Sequence, residues 1–246
     1  MKKIIVVLIF IFAAIQAIAQ TELKTAEEYF NRGMAFHNKK EYDKAIADYN
    51  AALRINPYYT DAFNNRGIAY SEKKEYYKAI ADYSAALRIN PYLYKAFFYR
   101  GVVFDEIGEY NKAIADYSAA LNIKPDYEEA LFERGRAYNE YGDYDKAIAD
   151  YSATLKINPN YVQAFFNRGN AYRHLKEYDN AISDYSAVLK INPNSYQVFF
   201  NRSIAYANIK EYDKAIADIE AVLRVNPNYP RAKELLEEIK KERVSN

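Results

Sequence analysis

Apolar positions along this 246-residue chain fall into two helical stripes that alternate and recur every 34 residues. In the first stripe a large apolar residue (Tyr29, Phe63, Phe97, Leu131, Phe165, Phe199) is followed four positions later by a small one. Three positions further on stands an aromatic (Phe36, Tyr70, Phe104, Tyr138, Tyr172, Tyr206). Spacings of four and three place all three on one face of a helix. The second stripe repeats Ala, Ile, Tyr and Leu in fixed order, as in Ala45, Ile46, Tyr49 and Leu53, with Ile219 replacing the tyrosine in the last copy. A short polar turn separates the stripes, and Asp43, Asn111, Asp145, Asp179 and Asp213 stand where an N-cap is expected, with Tyr77 the exception. Each second stripe ends at a proline (Pro57, Pro91, Pro125, Pro159, Pro193, Pro227), preceded by Asn in every copy except Lys124. The residue before proline is pushed out of helical geometry, and proline itself cannot donate a hydrogen bond. A helix of about a dozen residues is marginal alone, so each must be held by burial against its neighbours. The predicted fold class is all-α, a solenoid of stacked helix-turn-helix units whose core runs lengthwise.

The small residue of the first stripe is Gly33, Gly67, Gly101, Gly135 and Gly169, and Ser203 in the last copy. Glycine costs a helix interior about 1 kcal/mol relative to alanine. Its recurrence points to close approach of the partner helix, where a side chain would overpack the contact; local flexibility is the alternative. Aligned on these glycines, the units run 26–59, 60–93, 94–127, 128–161, 162–195 and 196–229. Thr25-Ala26-Glu27-Glu28 offers a capping box for the opening helix. At the other end Pro230 suits the first turn of a tail helix over 230–244, where Ala232, Leu235, Leu236 and Ile239 make one apolar stripe that would cap the last repeat.

Residues 1–19 differ from all that follows: Lys2 and Lys3, an apolar run from Ile4 to Ile15, then Ala17-Ile18-Ala19. This is the pattern of a secretory signal peptide cleaved before Gln20, with 20–25 a short connecting segment. Were the leader retained, its lysines would stay on the cytoplasmic side and the repeats would still be exported. Both routes predict repeats in the periplasm or outside the cell, and cleavage leaves a mature chain with no membrane insertion.

Formal net charge falls from +1 to −1 once Lys2 and Lys3 leave. Basic residues are interspersed evenly with acids, which argues against nucleic acid as a partner. Cysteine is absent, so no disulfide, thiol nucleophile or thiol lipid anchor is available, and packing alone carries stability. The two histidines, His37 and His174, lie four repeats apart in a stack where units touch only their neighbours. The recurrent carboxylates (Asp48, Asp82, Asp116, Asp150, Asp184, Asp218) appear in every unit, as structural residues do. All seven glycines belong to repeat positions, Gly108 and Gly142 at the turn between helices, and none forms a phosphate-cradling loop. The expectation is a protein that is not an enzyme and needs no cofactor or metal.

The aromatic at unit position 4, Gly at 8, Tyr or Phe at 11, Ala at 20, aromatic at 24 and Pro at 32 closely resemble the tetratricopeptide repeat family, over residues 26 to 229. Position 7 departs from the commoner leucine, being arginine in every unit (Arg32, Arg66, Arg100, Arg134, Arg168, Arg202). The resemblance implies antiparallel helix pairs in a right-handed superhelix, with a concave groove lined by the first helices at positions 2, 5, 9 and 12. Some members clamp a partner's terminal carboxylate with basic residues and asparagines. The matching window here reads Phe30, Met34, Asn65, Lys95 and Tyr99, so that clamp is not carried over.

Position 5 holds Phe30, Phe98, Phe132, Phe166 and Phe200, broken only by Asn64. It lies about 100° from the core stripe. Half covered, five phenylalanines would expose about 400 Å² of apolar surface, the size of an interaction patch; burial against adjoining first helices is the alternative. Position 9 changes along the chain from Met34, Ile68 and Val102 to Arg136 and Asn170. The functional expectation is an exported protein–protein interaction scaffold that holds a peptide or helical segment of a partner in the groove. Phe30, Phe98, Phe132, Phe166 and Phe200 would be its anchors, with polar contacts from Asn31, Asn65, Asn167, Asn201, Arg136 and Asn170. The alternative is a structural or assembly subunit of an envelope complex, or a self-associating protein. The arginines at position 7 and aspartates at position 23 are expected to form a ladder of partly exposed ion pairs between adjacent helices, worth about 0–1 kcal/mol each; independently solvated charges are the alternative.

Overall fold

The computed structural model describes residues 25–245; the leader and most of the segment after it lie outside the described residues. Among the described residues there are thirteen helices and no strand. The chain divides between Val103 and Phe104 into two compact units. The first holds α1 (Ala26–Asn38), α2 (Tyr42–Ile55), α3 (Thr60–Glu72), α4 (Tyr76–Ile89) and most of α5 (Tyr94–Glu106). The second begins near the end of α5. It continues with α6 (Tyr110–Ile123), α7 (Glu128–Tyr141), α8 (Tyr144–Ile157), α9 (Val162–His174), α10 (Tyr178–Ile191), α11 (Tyr196–Asn208), α12 (Tyr212–Val225) and α13 (Ala232–Ser245). Helices pair into hairpins, and within each unit the second helix of one hairpin packs on the first helix of the next. The core therefore lies between successive helices, as in the clusters around Tyr83 with Ala96 and Val103, and around Tyr185 with Val198 and Ala205.

Glycine in the first helix is a contact residue. A Cβ at Gly33, Gly67, Gly135 or Gly169 would stand 2.7–2.9 Å from Cε1 of Tyr49, Tyr83, Tyr151 or Tyr185, the tyrosine of the second helix in the same hairpin. Those rings are fully buried and cannot yield to it. The last hairpin changes both partners together: Ser203 faces a chain in which Ile219 has replaced the tyrosine, and both are fully buried. Flexibility does not explain the glycines; ring-to-backbone packing does.

The expected pairs between adjacent helices form, each joining the two helices of one hairpin. Arg66, Arg134, Arg168 and Arg202 each donate through Nε and Nη2 to both oxygens of Asp82, Asp150, Asp184 and Asp218, at 2.6–2.8 Å. Arg32 binds Asp48 in the same way. The aspartates are buried, so the expected value for an exposed pair does not apply: removing one partner strands a buried charge, at about 3–5 kcal/mol. The remaining arm, Nη1, reaches the preceding hairpin. Arg100, Arg134, Arg168 and Arg202 donate to Ser84, Ser118, Ser152 and Ser186 at 2.8–3.0 Å, and Arg66 donates to Asn50. One guanidinium thus fixes its own hairpin and its register on the one before.

Helix ends follow local chemistry, with one further correction. Thr25 and Glu28 form the expected capping box. The second helices, however, start two residues earlier than predicted, so Asp43, Asn111, Asp145, Asp179 and Asp213 lie inside the first turn. The N-cap is Glu41, Glu75, Glu109, Asp143, Glu177 or Glu211, of which only Asp143 caps with its side chain. In five of the six hairpins, that of Asp143 included, the N-cap acid pairs with the lysine three residues on (Lys44, Lys78, Lys112, Lys146, Lys214). The residue before the N-cap is left-handed in all six hairpins: Gly108 and Gly142, but also Lys40, Lys74, Lys176 and Lys210 near φ +60°. At the other end Asn56, Asn90, Asn158 and Asn226 accept from the backbone N–H two residues on, folding the chain over the proline. Arg231 follows Pro230 in left-handed geometry, so the tail helix starts at Ala232; its Ile239 seals the cluster of Ala215 and Ile219.

Candidate functional site

The phenylalanines at position 5 are packing residues first. Phe98 and Phe132 are each only 9% exposed, and Phe30, Phe166 and Phe200 are half-buried. Each ring leans on aromatics that the fold supplies. Phe30 lies 5.8 Å from Tyr49 and 5.0 Å from Tyr59, and Phe132 lies 5.8 Å from Tyr151 and 4.9 Å from Tyr161. Phe200 lies 5.0 Å from Tyr229. The row is half covered, as expected, at Phe30, Phe166 and Phe200, while Phe98 and Phe132 follow the alternative of burial. Tyr59, Tyr161 and Tyr229 share the last position of their repeats, where they cover the phenylalanine.

In the fifth repeat that last position is Ser195, and Phe166 loses its cover. A cleft of about 240 Å³ opens there, floored by Phe132, Phe166, Val188 and Val198 and edged by Gln163, Asn167, Asn192 and Gln197. Three of the predicted site residues, Phe132, Phe166 and Asn167, meet in it. The cleft carries no charge and presents amides around apolar rings. Gln163 and Gln197 are exposed at its rim.

Polar groups on the same face of the second unit form two networks. Asn170 Oδ1 accepts from the Tyr185 hydroxyl at 2.8 Å and from Asn201 Nδ2 at 3.1 Å, so two predicted asparagines hold each other. Burial pushes the Tyr185 phenol up to about 12. Arg136 donates through Nε to Glu133 at 2.8 Å and through Nη2 to Asp105, one repeat earlier. Burial alone would lower Arg136, but the hydrogen bond and charge of Glu133 and the charge of Asp105 raise it overall. Asp105 and Glu133 were absent from the predicted site, because each interrupts the repeat instead of following it. In the first unit Asn31 is exposed, while Asn65 donates to the carbonyl of Asp61 on its own helix and is committed there.

Hairpins of this size, locked by a glycine-tyrosine contact and stacked with the face of the first helices left open, define a helical-repeat interaction scaffold. Family models described as tetratricopeptide repeat match residues 26–59, 60–93, 162–195 and 196–229, and a model described as TPR repeat matches 104–140 and 135–173. The chain belongs to the tetratricopeptide repeat family. Among solved structures it is similar to the C-terminal part of a TPR repeat-containing protein from Cytophaga hutchinsonii (TM-score 0.73, 23% identity, 87% of this chain and 85% of that one). It is similar also to YrrB, described as a TPR protein with an unusual peptide-binding site (TM-score 0.72, 20% identity, 77% and 97%). A third is Pseudomonas aeruginosa PilF (TM-score 0.70, 16% identity, 87% and 97%). An uncharacterized protein of Methanocaldococcus jannaschii is 39% identical over 41 residues, 17% of this chain, and the match spans about half that relative's length (48%). Among the described residues no helix is long and apolar enough to cross a membrane.

Proposed function

We propose that this protein is an exported, non-catalytic scaffold that holds an extended or helical segment of another protein against the face of its first helices. The observation that carries the reading is the cleft at Ser195, where the periodic cover of Phe166 is missing and its ring lies, beside Phe132, beneath a rim of uncharged amides. An apolar floor with a few amides suits a polypeptide, whose backbone needs both donors and acceptors. The likeness to YrrB, whose description names a peptide-binding site, points the same way. Export rests on the leader pattern, and the absence of catalysis on the repetition of every carboxylate and the separation of the two histidines.

Replacing the phenylalanines is a poor test, since Phe132 is buried and its loss would cost about 3–5 kcal/mol of packing. Gln163→Arg with Gln197→Arg fills the cleft from exposed positions and leaves the core intact. The partner cross-linked to the protein in its native cell is expected to disappear in this variant while helicity by circular dichroism is unchanged. Equal cross-linking would overturn the assignment. A second reading, a self-associating or assembly subunit, is favoured by Tyr58, Tyr77, Tyr92 and Tyr141, which are 60–81% exposed. Size that grows with concentration in solution would support it over the first.

A further inference from the structure

Asp105, Glu133 and Arg136 in the second unit carry two negative charges and one positive, so the trio is short of one cation. Asp105 is 7% exposed, and its Oδ2 accepts from Arg136. Its other oxygen, Oδ1, is buried without a hydrogen-bond partner. A buried carboxylate oxygen without a donor loses hydration and gets nothing back, at a cost that a bound donor would remove. Asn139 Oδ1, at the same position of the next repeat, is also buried and unpartnered, and one repeat further Arg173 Nε is a buried donor in the same state. Acceptor, acceptor and donor thus follow one another at a single repeat position.

The charged trio adjoins the cleft. Glu133 follows Phe132 of the cleft floor, whose ring lies 5.8 Å from that of Tyr151, and Glu133 and Arg136 act on the Tyr151 phenol, which burial pushes up. The Arg136 side chain is 38% exposed against 5% for Asp105, so it is the part that must turn to admit a ligand.

We propose that the face of the second unit selects an extended protein segment that places a lysine or arginine side chain on Asp105 and Glu133, beside Arg136, while its neighbouring residues fill the Ser195 cleft. The proposal rests on the reading of this face as a polypeptide-binding surface and adds the chemistry of the ligand. The segment runs from Asp105, which takes its basic residue, toward the Ser195 cleft.

The test uses the full chain and a randomised library of blocked ten-residue peptides, with selected peptides then measured singly. Peptides recovered on the unaltered protein are expected to carry lysine or arginine at one fixed position. Asp105→Asn and Glu133→Gln are each expected to weaken them by about tenfold or more, as loss of a charge-assisted hydrogen bond does. Both variants are to keep the parent's helicity and melting temperature within a few degrees; Glu133, partly exposed, serves should Asp105→Asn fail to fold. Selected peptides with no basic preference, or binding unmoved by either substitution yet abolished by Gln163→Arg with Gln197→Arg, would overturn the cation proposal and leave the scaffold reading standing. Peptides indifferent to all of these variants, or none selected, would overturn both.

Discussion

Gly169 and Tyr185 offer a direct test of how each hairpin is locked. A Cβ on residue 169 would lie 2.8 Å from Tyr185 Cε1, 3.1 Å from Cδ1 and 3.3 Å from Asp184 Cβ. The first contact is about 0.7 Å inside the carbon–carbon optimum of about 3.5 Å. The ring has nowhere to retreat: it is fully buried, and its hydroxyl is tied to Asn170 at 2.8 Å. Gly169→Ser should therefore destabilise by about 1–3 kcal/mol through overpacking, less the few tenths that serine gains over glycine in helix propensity. Tyr185→Ile alone should cost about 2–4 kcal/mol, since it removes buried aromatic atoms and the contact with Asn170. The double variant rebuilds the pair that the last hairpin uses, Ser203 against Ile219. With the ring gone the serine meets no wall, so the double variant should resemble Tyr185→Ile, a coupling of about 1 kcal/mol or more. Urea unfolding followed by circular dichroism measures all three. The m-values need to agree across the set, because a repeat array can lose cooperativity. If the two single costs add within about 0.5 kcal/mol, the steric account of the glycine is refuted.

Further expectations are measured in the same way. Arg168→Met, which strands the buried Asp184 and leaves Ser152 without its donor, should lose about 3–5 kcal/mol, while Arg168→Met with Asp184→Leu should recover most of it; equal loss in both would show that the carboxylate tolerates isolation. Lys176→Gly relieves a left-handed residue and should raise stability by about 1 kcal/mol, seen as a higher midpoint in urea at constant m. An unchanged or lower midpoint would mean that the lysine side chain earns its place by contacts of its own.

The hairpins were legible because every copy repeats the same physical requirement. Glycine and tyrosine recur sixteen residues apart in five repeats, as Gly33 and Tyr49 do, and arginine and aspartate in all six, as Arg66 and Asp82 do, which separates such pairs from accident. What each pair does was less legible. Periodicity cannot tell whether Arg66 meets an aspartate within its hairpin or across to the next, nor that its third arm finds Asn50. The start of the second helices was misplaced because Asp43 is a good capping residue by type, while the left-handed Lys40 delivers the chain to Glu41 instead. The site was harder still. The phenylalanine row drew attention as a repeated feature, yet its rings are covered by tyrosines at the ends of the repeats. The cleft opens at Ser195, and the charged trio begins at Asp105, both exceptions to the pattern. Repetition marks what the scaffold needs, and the departures mark where it can differ toward a partner. Position 34 is smaller than tyrosine only at Leu93 and Ser195, and of these only Ser195 stands in a repeat with phenylalanine at position 5.

The buried phenols make the molecule its own optical gauge. Burial pushes Tyr49 and Tyr185 up to about 12, and Tyr83, Tyr117 and Tyr151 higher still. Unfolded, each would ionise near the ordinary tyrosine value of about 10. Because the folded values are raised, the stability these groups contribute is intact at neutral pH and drains away as alkali carries the solution past 10 toward the folded values. Tyrosinate absorbance that appears late and all at once in such a titration records hairpins coming apart. Ile219 has no phenol to ionise, so the last hairpin lacks this buried reporter.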